Sequence, residues 1–290
     1  MDKKFPAIDW KRADALIALA LEEDLAGDGD TTSNSVIPEN IDAKAVLKCK
    51  EDCVCAGIDI ARRAFRAVND SIFFTPAVKD GDFCPSGTVM AEIKGKARSL
   101  LTAERTALNF FQRLCGVATM SRRYAEAVAA YPTLILDTRK TTPGWRNLEK
   151  YAVAVGGSSN HRIGLYDRIL IKDNHRELAG LEGKNSISRS VERARKAFPA
   201  LKIEVEADTL NEVKEAAEAG ADYILLDNMS NKEMAEAVKI NAGCAKLEAS
   251  GGITLERIPS IGALGVDFIS CGALTHSVKA IDISMDIVPL

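Results

Sequence analysis

The chain has 290 residues, 47% of them hydrophobic, and a net charge of −3, enough apolar content for one barrel-sized domain or two smaller ones. No apolar run approaches the roughly 20 residues of a membrane helix, and the first residues lack the apolar core of a signal peptide, so a folded cytoplasmic protein without membrane partners is expected. The negative balance argues against nucleic acid as a partner, and seven scattered cysteines read as reduced thiols.

Helical periodicity runs from Lys11 to Leu25. The acidic stretch Asp24 to Thr32 lacks the ligand register and closing glutamate of a calcium loop, and reads as a helix exit and turn. A strand is expected over Ala43 to Cys49, a helix over Ile58 to Val68 and a strand over Val89 to Ala97. Cys49, Cys53 and Cys55 cluster, but no matching Cys or His pair follows, so a metal–thiolate site is not expected. A strong helix over Thr102 to Cys115 puts Leu108, Phe111, Leu114 and Cys115 on one face and closes what looks like a separate α+β domain. Arg105 falls in the first turn of that expected helix, where the backbone dipole disfavours a cation unless an anion is nearby.

The second half has another texture. Short apolar runs each end in a polar or small residue: Leu134 to Asp137, Ile169 to Lys172, Ile203 to Glu206, Ile224 to Asp227, Leu247 to Ser250, and Phe268 to Gly272. They read as buried parallel strands. Between them, Thr209 to Glu212 and Ser230 to Glu233 have the pattern of capping boxes, and Gly220 and Gly243 stand where helices would end. Strand, cap, helix and glycine make a βα barrel, complete or partial, whose reactive groups belong at the C-terminal ends of the strands.

Chemistry-bearing residues sit at those ends. From Arg139 to Arg176 there are eight Lys or Arg against three acids, a local excess of five positive charges in an acidic chain. Arg139 and Lys140 follow a strand and precede hydroxyls and a Pro-Gly turn that should open a helix, a sequence suited to carboxylate or phosphate. The glycine- and hydroxyl-rich stretch from Gly156 ends in His161 and Arg162, and Lys172 repeats the placement of a cation after a strand. Lys172 also suits a Schiff base of the aldolase kind. Glu206 and Asp227 either hold a hard cation such as Mg²⁺ or pair with Lys140 and Lys172. Ser250, Gly251 and Gly272 put small residues where a barrel forms its phosphate cup.

Seven ordered motifs then coincide: Glu23 to Thr32, Leu101 to Asn109, Asp137 to Gly144, Asn160 to Arg162, Lys172 to His175, Leu226 to Asn228 and Ser250 to Gly252. Together they resemble the quinolinate phosphoribosyltransferase family nearly end to end. The resemblance implies an N-terminal α/β sandwich (residues 1–116), an incomplete βα barrel of the type II phosphoribosyltransferase kind (117–275) and a C-terminal segment (276–290) returning to the first domain. It implies transfer of phosphoribose to quinolinate with loss of carbon dioxide, needing Mg²⁺ and no organic cofactor. In such enzymes Arg139, Lys140, His161, Arg162 and Lys172 would grip the dicarboxylate. A homodimer, itself able to assemble further, would deliver Arg105 across its interface. Glu206 and Asp227 would hold the ribose and the metal, while Ser250, Gly251 and Gly272 hold phosphate with His276 close by. Lys140, Lys172, Glu206 and Asp227 are thus the residues expected to carry the chemistry. The rivals are a sibling transferase acting on another aromatic acid, a Schiff-base aldolase, and a phosphate-ligand sensor without turnover.

Overall fold

The computed structural model describes residues 5–183 and 186–290. The chain divides into two compact units that interleave in sequence: residues up to 122, 141–157 and 274–290 in the first, and 123–140 with 158–273 in the second. The sequence reading places the boundary after residue 116 and returns residues 276–290 to the first domain.

The first unit begins with α1 (Trp10–Leu25), whose N-cap Asp9 accepts a hydrogen bond from the Arg12 N–H. The acidic turn that follows ends in Asp30, which caps a short helix, α2 (Thr31–Val36). Strands β1 (Asp42–Cys49) and β2 (Cys53–Val54), helix α3 (Ile58–Val68), strands β3 (Phe73–Pro76), β4 (Phe83–Cys84) and β5 (Val89–Lys96), and helix α4 (Ala97–Ala127) follow in order. Alternation along β1 turns Ala43, Ala45, Leu47 and Cys49 inward. β5 pairs antiparallel with β1 and β3. The last strand of the chain, β12 (Ile283–Pro289), pairs antiparallel with the free edge of β1, Ala45 opposite Ile287, and covers it. The sheet order is therefore β12-β1-β5-β3. Phe65, Phe111, Ile93 and Leu100 are fully buried in this unit, each contributing about 1.5–3 kcal/mol by leaving water.

The second unit is built on β6 (Leu134–Leu136), β7 (Ile169–Ile171), β8 (Ile203–Ala207), β9 (Tyr223–Asp227), β10 (Lys246–Ser250) and β11 (Phe268–Ser270). All pair in parallel, in the order β6-β11-β10-β9-β8-β7. Helix α5 (Arg146–Gly156) belongs to the first unit, while α6 (Asp173–Gly180), α7 (Ser186–Ala197), α8 (Leu210–Glu218), α9 (Asn231–Asn241) and α10 (Ile258–Gly262) connect the strands. A four-residue helix, α11 (Ala273–His276), follows β11. Both expected capping boxes form: the side-chain oxygens of Thr209 and Ser230 accept the Glu212 and Glu233 N–H groups, and each glutamate reaches back. Every residue of β8 is buried, as a parallel strand covered on both faces requires. The architecture is α/β, with the expected sandwich domain and an open βα barrel.

Candidate active site

In a parallel sheet every strand ends on the same side, so the residues after β6 to β11 share one mouth. Asp137, which follows β6, is fully buried and organises the loop opposite it. Its carboxylate accepts the Asn160 side-chain amide and the His161 backbone N–H, both at 2.8 Å. Arg139 is half-buried and Lys140 exposed, and the Lys140 N–H donates to Thr138 Oγ1 at 3.0 Å to tighten the turn between them. Arg162 is only 8% exposed. Burial and the neighbouring positive charge of Arg139 hold its guanidinium below the usual arginine range. Two arginines kept this close suit an anion with two charged groups.

Across the mouth, Lys172 follows β7, and its Nζ lies 2.7 Å from Glu206 Oε2 on β8. The Asp173 N–H donates to Glu206 Oε1 at 3.3 Å. Asp227 ends β9; burial, then the charges of Glu206 and Asp208, push its carboxyl up, with Lys172 and Lys140 pulling the other way. Three acids drawn together against their own repulsion, beside two lysines, form a set of hard oxygen donors that a divalent cation would relieve. Asn228 follows in a left-handed conformation, and its N–H donates to the Ser250 carbonyl at 3.0 Å, tying the ends of β9 and β10 together. Gly251 adopts φ +90°, and a Cβ there would stand 2.2 Å from Asn228 Oδ1, so only glycine fits. After β11, the Cys271 N–H donates to the Leu136 carbonyl at 2.9 Å and Gly272 follows at the sheet end.

Ten of the twelve residues singled out in the sequence thus belong to the barrel unit and its strand-end loops: Arg139, Lys140, His161, Arg162, Lys172, Glu206, Asp227, Ser250, Gly251 and Gly272. Arg105 and His276 belong to the first unit. Helix α4 begins at Ala97, eight residues before Arg105, so the expectation that Arg105 occupies a first turn is corrected and the dipole argument lapses. Arg105 is exposed and lines a cavity of about 320 Å³ with Glu23, Asp24, Asn109 and Trp145. His276 is exposed at the end of α11, its Nδ1 2.6 Å from Ser277 Oγ.

His161 departs from the picture of a side chain reaching for a ligand: it is 7% exposed and its Nε2 faces Glu204 and Glu248 inside the barrel. His175 serves the backbone, its Nδ1 accepting the Lys172 N–H at 2.9 Å. Sequence reasoning missed a hub in the first unit. Fully buried Glu149 accepts from Arg113 Nη2 at 2.7 Å, from the Thr142 N–H and from the Thr142 hydroxyl. Arg113 also donates to the carbonyls of Thr275 and Val278. No local pattern betrays such a pair, because its members are 36 residues apart.

Known proteins match this arrangement along nearly the whole chain. The family descriptions "Quinolinate phosphoribosyl transferase, N-terminal domain" and "C-terminal domain" match residues 30–115 and 117–286. A Bacillus subtilis protein named probable nicotinate-nucleotide pyrophosphorylase [carboxylating] is 44% identical, covering 90% of this chain and 89% of its own. The crystal structure of NadC from Streptococcus pyogenes superposes with a TM-score of 0.92 at 39% identity, covering 98% of this chain and 99% of its own. The nicotinate-nucleotide pyrophosphorylase from Francisella tularensis gives a TM-score of 0.92 at 40% identity, covering 97% and 98%. With both halves of the chain matched and the strand-end residues in place, the chain belongs to the quinolinate phosphoribosyltransferase family.

Proposed function

We propose that the chain is an enzyme of NAD biosynthesis that joins quinolinate to phosphoribosyl pyrophosphate, yielding nicotinate mononucleotide, pyrophosphate and carbon dioxide. One observation supports this above the others: a pair of adjacent arginines and a crowded set of acids share one end of a parallel sheet. The first suits a dicarboxylate, the second a substrate that becomes positive as it reacts.

The pyridine nitrogen attacks the anomeric carbon; the carbon–oxygen bond to pyrophosphate breaks, and the electron pair leaves with the pyrophosphate. Glu206 and Asp227 stabilise the positive charge that develops on the ribose, and Lys172, held 2.7 Å from Glu206, sets the carboxylate in place. Arg139, Arg162 and Lys140 orient the two carboxylates, a contribution made by positioning. The quaternised ring then takes up the electrons of the bond to the 2-carboxylate as carbon dioxide departs, and a proton replaces it. Binding the departing carboxylate as tightly as the remaining one would slow this step, so the stronger arginine pairing belongs to the 3-carboxylate. Glu206 and Asp227 fit Mg²⁺, which when bound would neutralise charge on the pyrophosphate. Ser250, Gly251 and Gly272 would receive phosphate.

The working unit is a homodimer in which Arg105 serves the partner's site. Mixing Arg105→Ala and Glu206→Gln subunits, each inactive alone, should restore activity; mixtures as inactive as the parents would refute the shared site. The reaction is assigned to the cytoplasm, consistent with cysteines that form no disulfide; among the described residues no helix is long and apolar enough to cross a membrane. The Lys172 Nζ is already engaged by Glu206 at 2.7 Å, which leaves it poorly placed as a Schiff-base nucleophile.

The test is a substrate panel: protein, phosphoribosyl pyrophosphate and Mg²⁺ with quinolinate, nicotinate or other pyridine carboxylates. Nicotinate mononucleotide should form from quinolinate alone. Turnover of a different acid, with quinolinate inert, would move the function to a sibling transferase.

A further inference from the structure

Glu204 and Glu248 lie one pleat below the barrel mouth, each two residues before a strand-end group, Glu206 on β8 and Ser250 on β10. Both are fully buried, and His161 stands between them, its Nε2 3.2 Å from Glu204 Oε2 and 3.4 Å from Glu248 Oε1. Two acids and an imidazole this close have the composition of a metal site. The ring speaks against one. Its Nδ1 accepts the Arg162 backbone N–H at 2.7 Å, so the ring's hydrogen sits on Nε2 and points at the acids, where a metal would need a lone pair.

The cluster instead leads to Arg162. Glu204 also meets Arg168 Nη1 at 3.3 Å, and the Arg168 guanidinium stacks over the Tyr223 ring, 4.2 Å from its centroid. The Arg168 carbonyl in turn accepts Arg162 Nη1 at 2.9 Å. Both the backbone and the guanidinium of Arg162 are therefore tied to residues that Glu204 holds. Burial, then the negative charge of Glu204, push the Glu248 carboxyl up.

We propose that Glu204 and Glu248 are positioning residues for the dicarboxylate grip: Glu204 holds His161 and Arg168, Glu248 backs His161 from its other side, and His161 and Arg168 fix the backbone and guanidinium of Arg162 before substrate arrives. The proposal rests on the function given above. It assigns His161 to the scaffold beneath the site. Because hydrogen bonds to charged groups and preorganisation are at stake, losing the clamp should weaken aromatic-acid binding about tenfold or more. Phosphoribosyl pyrophosphate, held by other residues, should be little affected.

The experiment measures KM for each substrate and kcat for the wild type, Glu204→Gln, Glu248→Leu and Glu248→Gln, with circular dichroism and thermal unfolding of each. The expected result is a rise of about tenfold or more in KM for quinolinate in Glu204→Gln and Glu248→Leu. KM for phosphoribosyl pyrophosphate should stay within about twofold, and Glu248→Gln, which keeps a polar oxygen of the same reach facing His161, should recover most of the loss. Equal rises in both KM values, or an unchanged KM for quinolinate, would overturn the proposal while leaving the function intact. A wild type unable to use quinolinate would overturn the function and the proposal with it. Should Glu204→Gln fail to fold, the contrast between Glu248→Leu and Glu248→Gln decides the matter.

Discussion

The sheets of the two units place their charges in opposite ways. In the antiparallel sheet of the first unit, the inward row of β1 and β5 is apolar, and charges pair across the outer face: Lys44 with Glu92, Lys48 with Asp286 and Lys96 with Asp42. In the parallel sheet of the second unit, Glu204, Glu206 and Glu248 lie on the strands and are buried, with half-buried Asp227 at the rim. An outer-face pair costs little and contributes about 0–1 kcal/mol. A buried carboxylate costs several kcal/mol unless it is paired, and Glu204 and Glu206 have partners in Arg168 and Lys172.

Perturbations of unequal size can break or sharpen that contrast. Arg113→Ala, which strands the fully buried Glu149 of the first unit, should cost about 3–5 kcal/mol in urea-induced unfolding. A loss below 1 kcal/mol would mean that Thr142 alone satisfies the carboxylate. Asp227→Asn should lower kcat/KM by about 10²–10³-fold, a loss of electrostatic transition-state stabilisation, with the unfolding midpoint nearly unchanged. Activity within a few-fold of wild type would remove Asp227 from the site. Smallest of all, Lys44→Ala should change stability by no more than about 1 kcal/mol and leave turnover untouched; a larger loss would show that the outer face is not the inexpensive one.

Acidification offers a further, graded check. Asp222 accepts from Lys202, Arg195 and the Ile203 N–H, and although burial opposes it, these partners hold its carboxyl below the usual aspartate range. The folded protein then binds fewer protons at this site than the unfolded chain. The stabilisation is complete above the ordinary aspartate pKa and is lost as the pH falls through the lowered folded value. Asp222→Asn should flatten the acid limb of the stability profile, and an unchanged limb would contradict the assignment.

Much of the barrel was legible because two periodic signals agree along each βα unit. Apolar runs ended in charge, and Thr209 and Ser230 announced the next helices through capping boxes that form as expected. The limits of α4 were less legible. β5 runs directly into it with no intervening turn residue, so strand and helix patterns overlap near Ala97. At the other end the expected helix closes at Cys115, yet α4 runs on through Gly116, where a Cβ would fall 2.3 Å from the Lys279 carbonyl. That glycine answers to a close approach by a segment far away in sequence, which no local signal encodes. α2 and the two-residue strands β2 and β4 are too short to show a period at all.

The candidate site divides the same way. Residues at or just past a strand end, such as Asp227 and Lys172, were visible because a polar group closes an apolar run. Glu204 and Glu248 were not singled out because a charge within a run looks like a breach of pattern unless the inward face is known to be polar. The Arg113–Glu149 hub and the Asp137 bonds to Asn160 and His161 depend on tertiary placement alone.

The central claim is that one barrel mouth couples glycosyl transfer to loss of a carboxylate. The most direct measurement supplies quinolinate labelled at the 2-carboxylate and follows labelled carbon dioxide, pyrophosphate and nicotinate mononucleotide together. Equal amounts of all three, with none released when phosphoribosyl pyrophosphate is omitted, is the result predicted here. Pyrophosphate released without labelled carbon dioxide, or label lost before any pyrophosphate appears, would contradict it.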